Sequence, residues 1–419
     1  MPSLALPPFA RRFIARMRAI PLPRLRRVLI GLYVLAAFAD AAGKALAANP
    51  AVNDAITKLV SRGAAREVRD ARRPSGNFEI FRASSHHLVD GQDLYAQYPT
   101  EQDRFKYSPS FALLFAPLAW IPWPVALFLW SMLNAGSAFL ALERLLPPRQ
   151  AMLAIACMLL ELLRAMQNAQ SNALVAALII FSFVALEWGR SWRAGLLVAI
   201  GAAIKIFPLA ALTFAIPWRR AMRTGAWAVA AGLAVAALPL LVVSPASLAA
   251  QYQSWRGIEA SDAQQRWFSI MELIHHWTGA TIPNWPVQLA GVALLMLPLA
   301  LRRQRWPDER FRLVYLCSVL LFVALFNHQA ERASYVIAFT GATIWFVSSP
   351  RTTWRTALYG VAMLTMPIAS TLIPGAWLKL PDVVLYRLAF PTLLIWLAVQ
   401  AELLAAPRIA IPAARAVEA

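Results

Sequence analysis

The sequence predicts an all-α protein, a polytopic bundle of about 11 to 13 transmembrane segments. Hydrophobic residues make up 59% of the 419 positions and charged residues only 15%, whereas soluble domains carry roughly 25% charged residues. Apolar runs recur along the chain, and many approach the length of about 20 residues that a helix needs to cross a bilayer. Much of the surface must therefore face lipid, and we expect the lipid bilayer to be a partner.

The order of apolar and polar stretches defines the predicted elements. The first apolar run, 28–48, is interpreted as an uncleaved first helix. A long polar loop, 49–107, follows it, and a second polar loop, 244–285, separates the remaining runs into two groups. These runs are 108–121, 124–143, 150–166, 172–188, 194–217 and 226–243, then 286–301, 311–326, 333–348, 356–372 and 386–404. Residues 28–404 are thus predicted to form one transmembrane domain.

The positive charge is distributed as in membrane proteins. The net charge is +19, but the arginines concentrate in residues 1–27 and in short clusters near 219–223, 302–305 and 351–355. Basic loops of this kind stay in the cytoplasm, so the distribution argues against nucleic-acid binding. We expect a multi-pass protein of the inner (plasma) membrane, with a cytoplasmic N-terminus and a cytoplasmic tail, 405–419. Both polar loops then face outward.

The path of residues 108–217 has two solutions. If 108–121 and 124–143 each cross the membrane, the arginines near 144–149 and 190–193 fall outside, against the positive-inside rule. If 108–143 crosses once, those arginines fall inside and the turn 167–171 faces outward. Residues 194–217 then form two short helices, with Lys205 near the outer face. We favour this second threading.

Ionisable groups near the outer face are candidates for chemistry, because charge at membrane depth is costly. Lys205 interrupts an apolar run, and it either extends to the interface or holds a phosphate. The first loop alternates aromatic and charged residues, which fits either an interfacial helix or a site that acts on a polar head group. The turn 327–332 adds His328 and Glu331 on the same side.

Three motifs resemble glycosyltransferase family 87, polytopic enzymes of the GT-C type related to polyprenyl-phosphomannose-dependent mannosyltransferases. Residues 105–119 resemble the family's FKYPPLFALLFAPLA stretch, and 194–208 resemble its AGLLLGLAAAIKLFP segment. Gln167 and Asn168, with Asn172, loosely match a GQxN turn. The motifs occur in the family's order over about 75–210, and the match weakens towards 327–335.

The resemblance implies a GT-C bundle with a long first extracytoplasmic loop, which transfers a mannose-like hexose from a polyprenyl-phosphate-sugar donor. The acceptor would be a glycan or lipid on the extracytoplasmic face. A carboxylate would act as general base in a direct displacement, and cations would stabilise the departing phosphate. No metal or other cofactor is expected. The expected substrate-binding residues are Asn77, Arg82, Asp93, Tyr95, Lys106, Tyr107, Gln167, Asn168, Lys205 and His328.

The sequence departs from the family at one position. The family commonly has an Asp at the start of a DFxxYY stretch in the first loop, and Asn77 occupies that position here. An amide cannot accept the proton at neutral pH, so another carboxylate must replace it. We rank the candidates Asp103, Glu331 and Glu79. A membrane transporter or lipid flippase, a structural protein and a non-catalytic relative of the glycosyltransferases are the alternatives.

Overall fold

The computed structural model describes residues 20–49, 52, 76–99, 101, 103–372 and 380–405. The described chain is helical and contains no β-strand, which confirms the predicted all-α class. The rest of the predicted N-terminal segment, of the first loop and of the predicted tail lies outside these residues.

The α-helices are numbered in chain order. They are α1 (Leu22–Ala48), α2 (Gly76–Val89), α3 (Pro109–Ala119), α4 (Trp123–Leu145), α5 (Pro148–Gln167), α6 (Asn172–Glu187), α7 (Ser191–Ile204), α8 (Ala221–Ala237), α9 (Pro245–Asp262), α10 (Ile270–Thr278), α11 (Asn284–Leu301), α12 (Glu309–Leu325), α13 (Tyr335–Ser348), α14 (Thr353–Met363) and α15 (Pro381–Leu404). The 3₁₀ helices are Phe207–Ala215, Leu238–Leu241, Arg303–Arg305 and Arg332–Ser334. A π-helical turn, Leu364–Ile368, and a short α-helix, Ala369–Leu372, continue α14.

Several helices are suited to a membrane by length and composition. Six are long and apolar enough to cross a bilayer among the described residues: Leu22–Ala48, Trp123–Leu145, Pro148–Gln167, Ala221–Leu241, Asn284–Leu301 and Pro381–Leu404. Three apolar helices are shorter: Pro109–Ala119, Asn172–Glu187 and Ser191–Ile204. This architecture agrees with the polytopic bundle that the hydropathy pattern predicts.

The bundle has two chemically distinct ends. At the end that we call the basic end, Arg26 pairs with Glu143 at 2.6 Å and Arg312 with Glu187 at 2.7 Å. Glu402, in α15, pairs with Arg310 and Arg355 at the same end. The opposite end, which we call the polar end, contains the turns 167–171 and 327–333 together with α2, α3, α9 and α10. These four helices come from the two predicted polar loops and their borders.

The structure brings the turn 167–171 and the turn 327–333 to the same end of the bundle. The side chain of Gln170 donates a hydrogen bond to Glu331 at 3.0 Å. Residues 194–217 form α7 and the 3₁₀ helix Phe207–Ala215, which are separated at Lys205. Both observations agree with the favoured threading of 108–217, in which α4 crosses and α3 does not.

Candidate active site

A cavity of about 350 Å³ opens at the polar end between the first loop, the turn 167–171, the break after α7 and the helix α9. Its polar lining combines acidic, basic and amide side chains, and aromatic and aliphatic residues complete the wall. The polar residues that line it are Asn77, Asp103, Arg104, Lys106, Tyr107, Gln170, Lys205, Arg256, Glu259, Asp262, Gln265, Asn327, Gln329 and Glu331.

The segment 103–108 supplies one wall of this cavity and has no regular secondary structure. Backbone acceptors hold it in place, because the hydroxyl of Tyr95 donates to the carbonyl of Tyr107 at 2.8 Å and the indole of Trp255 donates to the carbonyl of Lys106 at 3.4 Å. Ser108 then caps α3 by accepting a hydrogen bond from the backbone N–H of Phe111, a role for which serine is well suited.

Lys205 lies at a break in the helical path. It ends α7 in an extended conformation, with φ −148° and ψ 140°, and Pro208 follows in the first turn of the 3₁₀ helix. Pro208 packs so closely that a Cβ atom at Gly201 would lie 2.9 Å from the Pro208 Cβ. Glycine at 201 therefore lets the chain fold back, and this fold presents the ammonium of Lys205 to the cavity.

Lys205 has an aromatic and an acidic neighbour. Its Nζ atom lies 5.6 Å from the centre of the Tyr107 ring, which is within the range of cation–π attraction. Glu331 is the acidic group that acts electrostatically on Lys205, although the two do not form an ion pair in the described part of the chain. The ammonium thus keeps its hydrogen-bonding capacity for a ligand.

Glu331 is oriented by a short relay of side chains. Gln170, only 5% exposed, donates from Nε2 to Glu331 at 3.0 Å and accepts from the hydroxyl of Tyr107 at 3.4 Å. Burial raises the pKa of the Tyr107 hydroxyl, and the charge of Glu331 raises it further by a smaller amount. This hydroxyl therefore remains a proton donor at neutral pH. The relay fixes one carboxylate oxygen of Glu331.

A second polar network lies across the cavity, around Asp262 at the end of α9. Lys106 pairs with Asp262 at 3.2 Å and lies 3.8 Å from Asp103. Gln265 donates to Asp262 at 2.8 Å, and Gln329 donates to its other oxygen at 3.5 Å. Because its oxygens accept from these three groups, Asp262 is a structural partner of Lys106.

Glu259 lies one turn before Asp262 on the same helix. Burial and, next, the charge of Asp262 raise the pKa of the Glu259 carboxyl, while Lys106 opposes the shift. The wall formed by α9 therefore contains a carboxyl group, Glu259, whose ionisation is disfavoured by burial and by the neighbouring Asp262.

The family comparison agrees with this geometry. The model of glycosyltransferase family 87 matches residues 105–327, more than half of the chain. The chain belongs to this family. The match includes Lys106, Tyr107, Gln170 and Lys205, and it ends just before Glu331. A comparison with curated proteins finds no significant match.

Several of the site residues predicted from the sequence line the cavity. Of the three candidate bases, Asp103 and Glu331 lie on its wall. Asp103 is exposed. Glu79 is not among the lining residues, and its carboxylate instead accepts a hydrogen bond from the indole of Trp123.

Three predicted substrate-binding residues of the first loop lie away from the cavity wall. Arg82 donates to the carbonyl of Ala119 at 2.9 Å. Asp93 accepts from the backbone N–H of Tyr95 at 3.1 Å, and Tyr95 is buried with its hydroxyl bound to the segment 103–108. These side chains stabilise the loop that forms the cavity.

Asn77 and the predicted residues of the turns 167–171 and 327–332 do not all line the cavity. Asn77 lines the cavity and donates to the carbonyl of Asn168 at 3.1 Å, whereas the side chain of Asn168 lines a neighbouring groove. The carbonyl of Gln167 accepts from Lys44 at 2.7 Å, and its side chain is exposed. His328 contacts Gln288 at 3.1 Å outside the lining set, and burial lowers the pKa of its imidazole.

Sequence reasoning missed Asp262, Glu259 and Gln170 as site residues. Asp262 and Glu259 belong to the second polar loop region, on the same predicted side as the first loop. Their spacing of three places them on one helix face with Trp255. That pattern was a usable signal, but their pairing with Lys106 depends on a contact between distant parts of the chain.

Proposed function

We propose that this membrane glycosyltransferase transfers a hexose from a polyprenyl-phosphate-sugar donor to an acceptor hydroxyl in the polar-end cavity. The observation that carries the proposal is that Lys205 and Glu331 both line this cavity. Gln170 and Tyr107 orient Glu331, and the ring of Tyr107 lies beside the ammonium of Lys205. A cation and a carboxylate that do not neutralise each other are suited to act on opposite sides of a reacting carbon.

In this mechanism Glu331 is the general base. Its carboxylate accepts the proton of the acceptor hydroxyl while that oxygen attacks the anomeric carbon of the sugar. The bond between the anomeric carbon and the phosphate oxygen breaks, and its electron pair leaves with the polyprenyl phosphate. The ammonium of Lys205 stabilises the charge that develops on that phosphate. Direct displacement inverts the configuration at the anomeric carbon.

The cavity position suits a donor with an apolar tail. A polyprenyl chain can remain in the bilayer beside the helices while its phosphate and sugar enter the polar end. Because arginines gather at the opposite end, the positive-inside rule favours an extracytoplasmic polar end and a cytoplasmic N-terminus in the plasma membrane. Mannose is the sugar we expect first, by family resemblance.

The test uses purified full-length protein in lipid nanodiscs with synthetic polyprenyl-phosphate mannose, labelled in the sugar, and an extract of membrane lipids as acceptor. We expect labelled product in the wild type and an inverted glycosidic bond. Polyprenyl-phosphate glucose and water-soluble nucleotide mannose are the comparison donors. Transfer only from the nucleotide sugar would refute the proposed donor. Movement of intact donor across liposomes without any transfer would favour the flippase alternative.

A further inference from the structure

A second charged groove lies at the polar end, beside the cavity and separate from it. Its walls come from the last turns of α5, the 3₁₀ helix Arg332–Ser334, the short helix Ala369–Leu372 and the first turns of α15. They include Glu161, Arg164, Asn168, Arg332 and Ser370. Arg387, one residue before the lining residue Leu388, interacts electrostatically with Arg332 and Arg164. Three arginines, Arg164, Arg332 and Arg387, therefore act electrostatically on a single glutamate, Glu161.

The arginines of this groove are incompletely satisfied. Arg387 is only 7% exposed, and its Nε and Nη2 atoms have no hydrogen-bond partner in the described part of the chain. The Nε atom of Arg332 is also buried without a partner there. Burying guanidinium donors without acceptors is costly, and the three positive charges disfavour one another. An anion bound beside the cluster would reduce the repulsion and would supply an acceptor to the guanidinium donors that it can reach.

Glu161 does not supply that acceptor. It interacts electrostatically with all three arginines, but it forms no ion pair with any of them among the described residues. The charges of the group are three positive and one negative, so two positive charges remain unbalanced. At the basic end, by contrast, the carboxylate of Glu402 is in direct contact with Arg310 at 2.6 Å and with Arg355 at 2.7 Å.

We propose that Arg164, Arg332 and Arg387 form an anion site for a phosphate group, which arrives either on a lipid headgroup or free in solution. Guanidinium groups match phosphate oxygens with paired hydrogen bonds. The groove itself has a volume of only about 10 Å³, so the phosphate binds at its mouth. There it contacts the half-buried Arg164 and Arg332, and the buried Arg387 behind them contributes positive charge. The site adjoins the cavity, because Arg332 follows Glu331 directly.

The experiment measures phosphate binding by the purified full-length protein in detergent, without any turnover. Native mass spectrometry counts bound dioleoyl phosphatidic acid, with dioleoylglycerol as the matched lipid that lacks phosphate. A parallel arm compares the thermal midpoint in inorganic phosphate and in chloride of equal ionic strength. The variants are Arg332→Gln and Arg387→Gln. Arg223→Gln, an exposed arginine at the opposite end, is the control.

We expect wild type and the control to bind phosphatidic acid in preference to dioleoylglycerol, and each site variant to weaken that binding roughly tenfold, the effect of one charged hydrogen bond. If inorganic phosphate raises the thermal midpoint of the wild type but not of the site variants, the free anion is a ligand. If only the binding of phosphatidic acid depends on the arginines, the ligand is the lipid headgroup. If Arg387→Gln does not fold, the binding measured for Arg332→Gln decides the question, because Arg332 is only half-buried. Equal binding of all variants, or equal binding of both lipids with no phosphate shift, overturns the proposal. Glu331→Gln should keep this binding, so a failure of the transfer mechanism is distinguishable.

Discussion

The side-chain amide of Gln170 donates a hydrogen bond of 3.0 Å to the carboxylate of Glu331, and 161 positions separate the two residues in the chain. This contact joins the turn between α5 and α6 to the turn between α12 and α13. It occupies one oxygen of Glu331 and leaves the other for a substrate.

Replacing Glu331 by glutamine should abolish most of the transfer activity. The amide of glutamine can still accept the hydrogen bond from Gln170, so the structure is kept while the proton acceptor is lost. We expect kcat to fall by about 10²- to 10⁴-fold, the usual contribution of a general base. The measurement is steady-state transfer, with Glu309→Gln, an exposed glutamate at the basic end, as the control. Activity within a few-fold of wild type would exclude Glu331, and Asp103→Asn would be tested next.

Removing the charge of Lys205 should impair the departure of the phosphate. Lys205→Met is expected to lower kcat/KM by roughly 10- to 100-fold, because a charged hydrogen bond contributes about 1.5–3 kcal/mol. The loss should fall more on kcat than on KM, since the phosphate gains charge as it leaves. Lys205→Arg should recover part of the rate. A change confined to KM would mean that Lys205 binds the ground state only.

The pair Lys106–Asp262 should be coupled in stability. Asp262 is buried and Lys106 half-buried at a distance of 3.2 Å, so Lys106→Met and Asp262→Asn should show a coupling of about 0.5–3 kcal/mol in a double-mutant cycle. The more exposed pair Arg305–Asp308, at 3.3 Å, should give less than about 1 kcal/mol. Thermal or denaturant unfolding in detergent provides the values. Additive effects at both pairs would show that Asp262 does not fix Lys106.

Glu259 should make stability depend on pH. Its folded-state pKa is raised by burial and by Asp262, so the folded protein prefers the protonated form. Stability is then greatest below the ordinary carboxyl range and falls as pH rises through the raised pKa. Glu259→Gln should therefore raise the thermal midpoint at neutral pH, and the gain should vanish in acid, where both side chains are neutral. A gain that is independent of pH would contradict this explanation.

Glu402 should be the most costly acidic residue to remove at the basic end. Its oxygens accept from Arg310 at 2.6 Å, from Arg355 at 2.7 Å and from the indole of Trp345 at 2.9 Å. Glu402→Gln leaves two guanidinium groups without a counter-charge, one of them buried, and breaking a buried pair costs about 3–5 kcal/mol. Its side chain is 20% exposed, so we expect the lower part of that range. Glu309→Gln should change the unfolding free energy by less than about 0.5 kcal/mol.

Hydropathy was sufficient to predict the helical class and the two loops whose helices cover the polar end. The motif residues Lys106, Tyr107 and Lys205 do meet at one cavity, as the threading favoured by the positive-inside rule predicts. Local sequence and membrane crossing together fix such positions.

The direction of individual side chains was less predictable. Asn77 and Glu79 are two positions apart in α2, and side chains with that spacing point to different sides of a helix. Asn77 consequently lines the cavity while Glu79 meets Trp123. The contact of Lys106 with Asp262 could not be read from the sequence either, since it depends on how α9 lies across the bundle.

The segment 103–108 has one further consequence, which concerns conformational entropy. It has no helix or strand, yet Tyr95 and Trp255 donate hydrogen bonds to two of its backbone carbonyls, and the side chain of Ser108 joins it to the start of α3. Fixing the backbone of one free residue costs about 1–2 kcal/mol of conformational entropy. In this segment the backbone is ordered during folding, before any donor binds. A sugar that enters therefore encounters Lys106 and Tyr107 in place, so binding loses little affinity to ordering the loop.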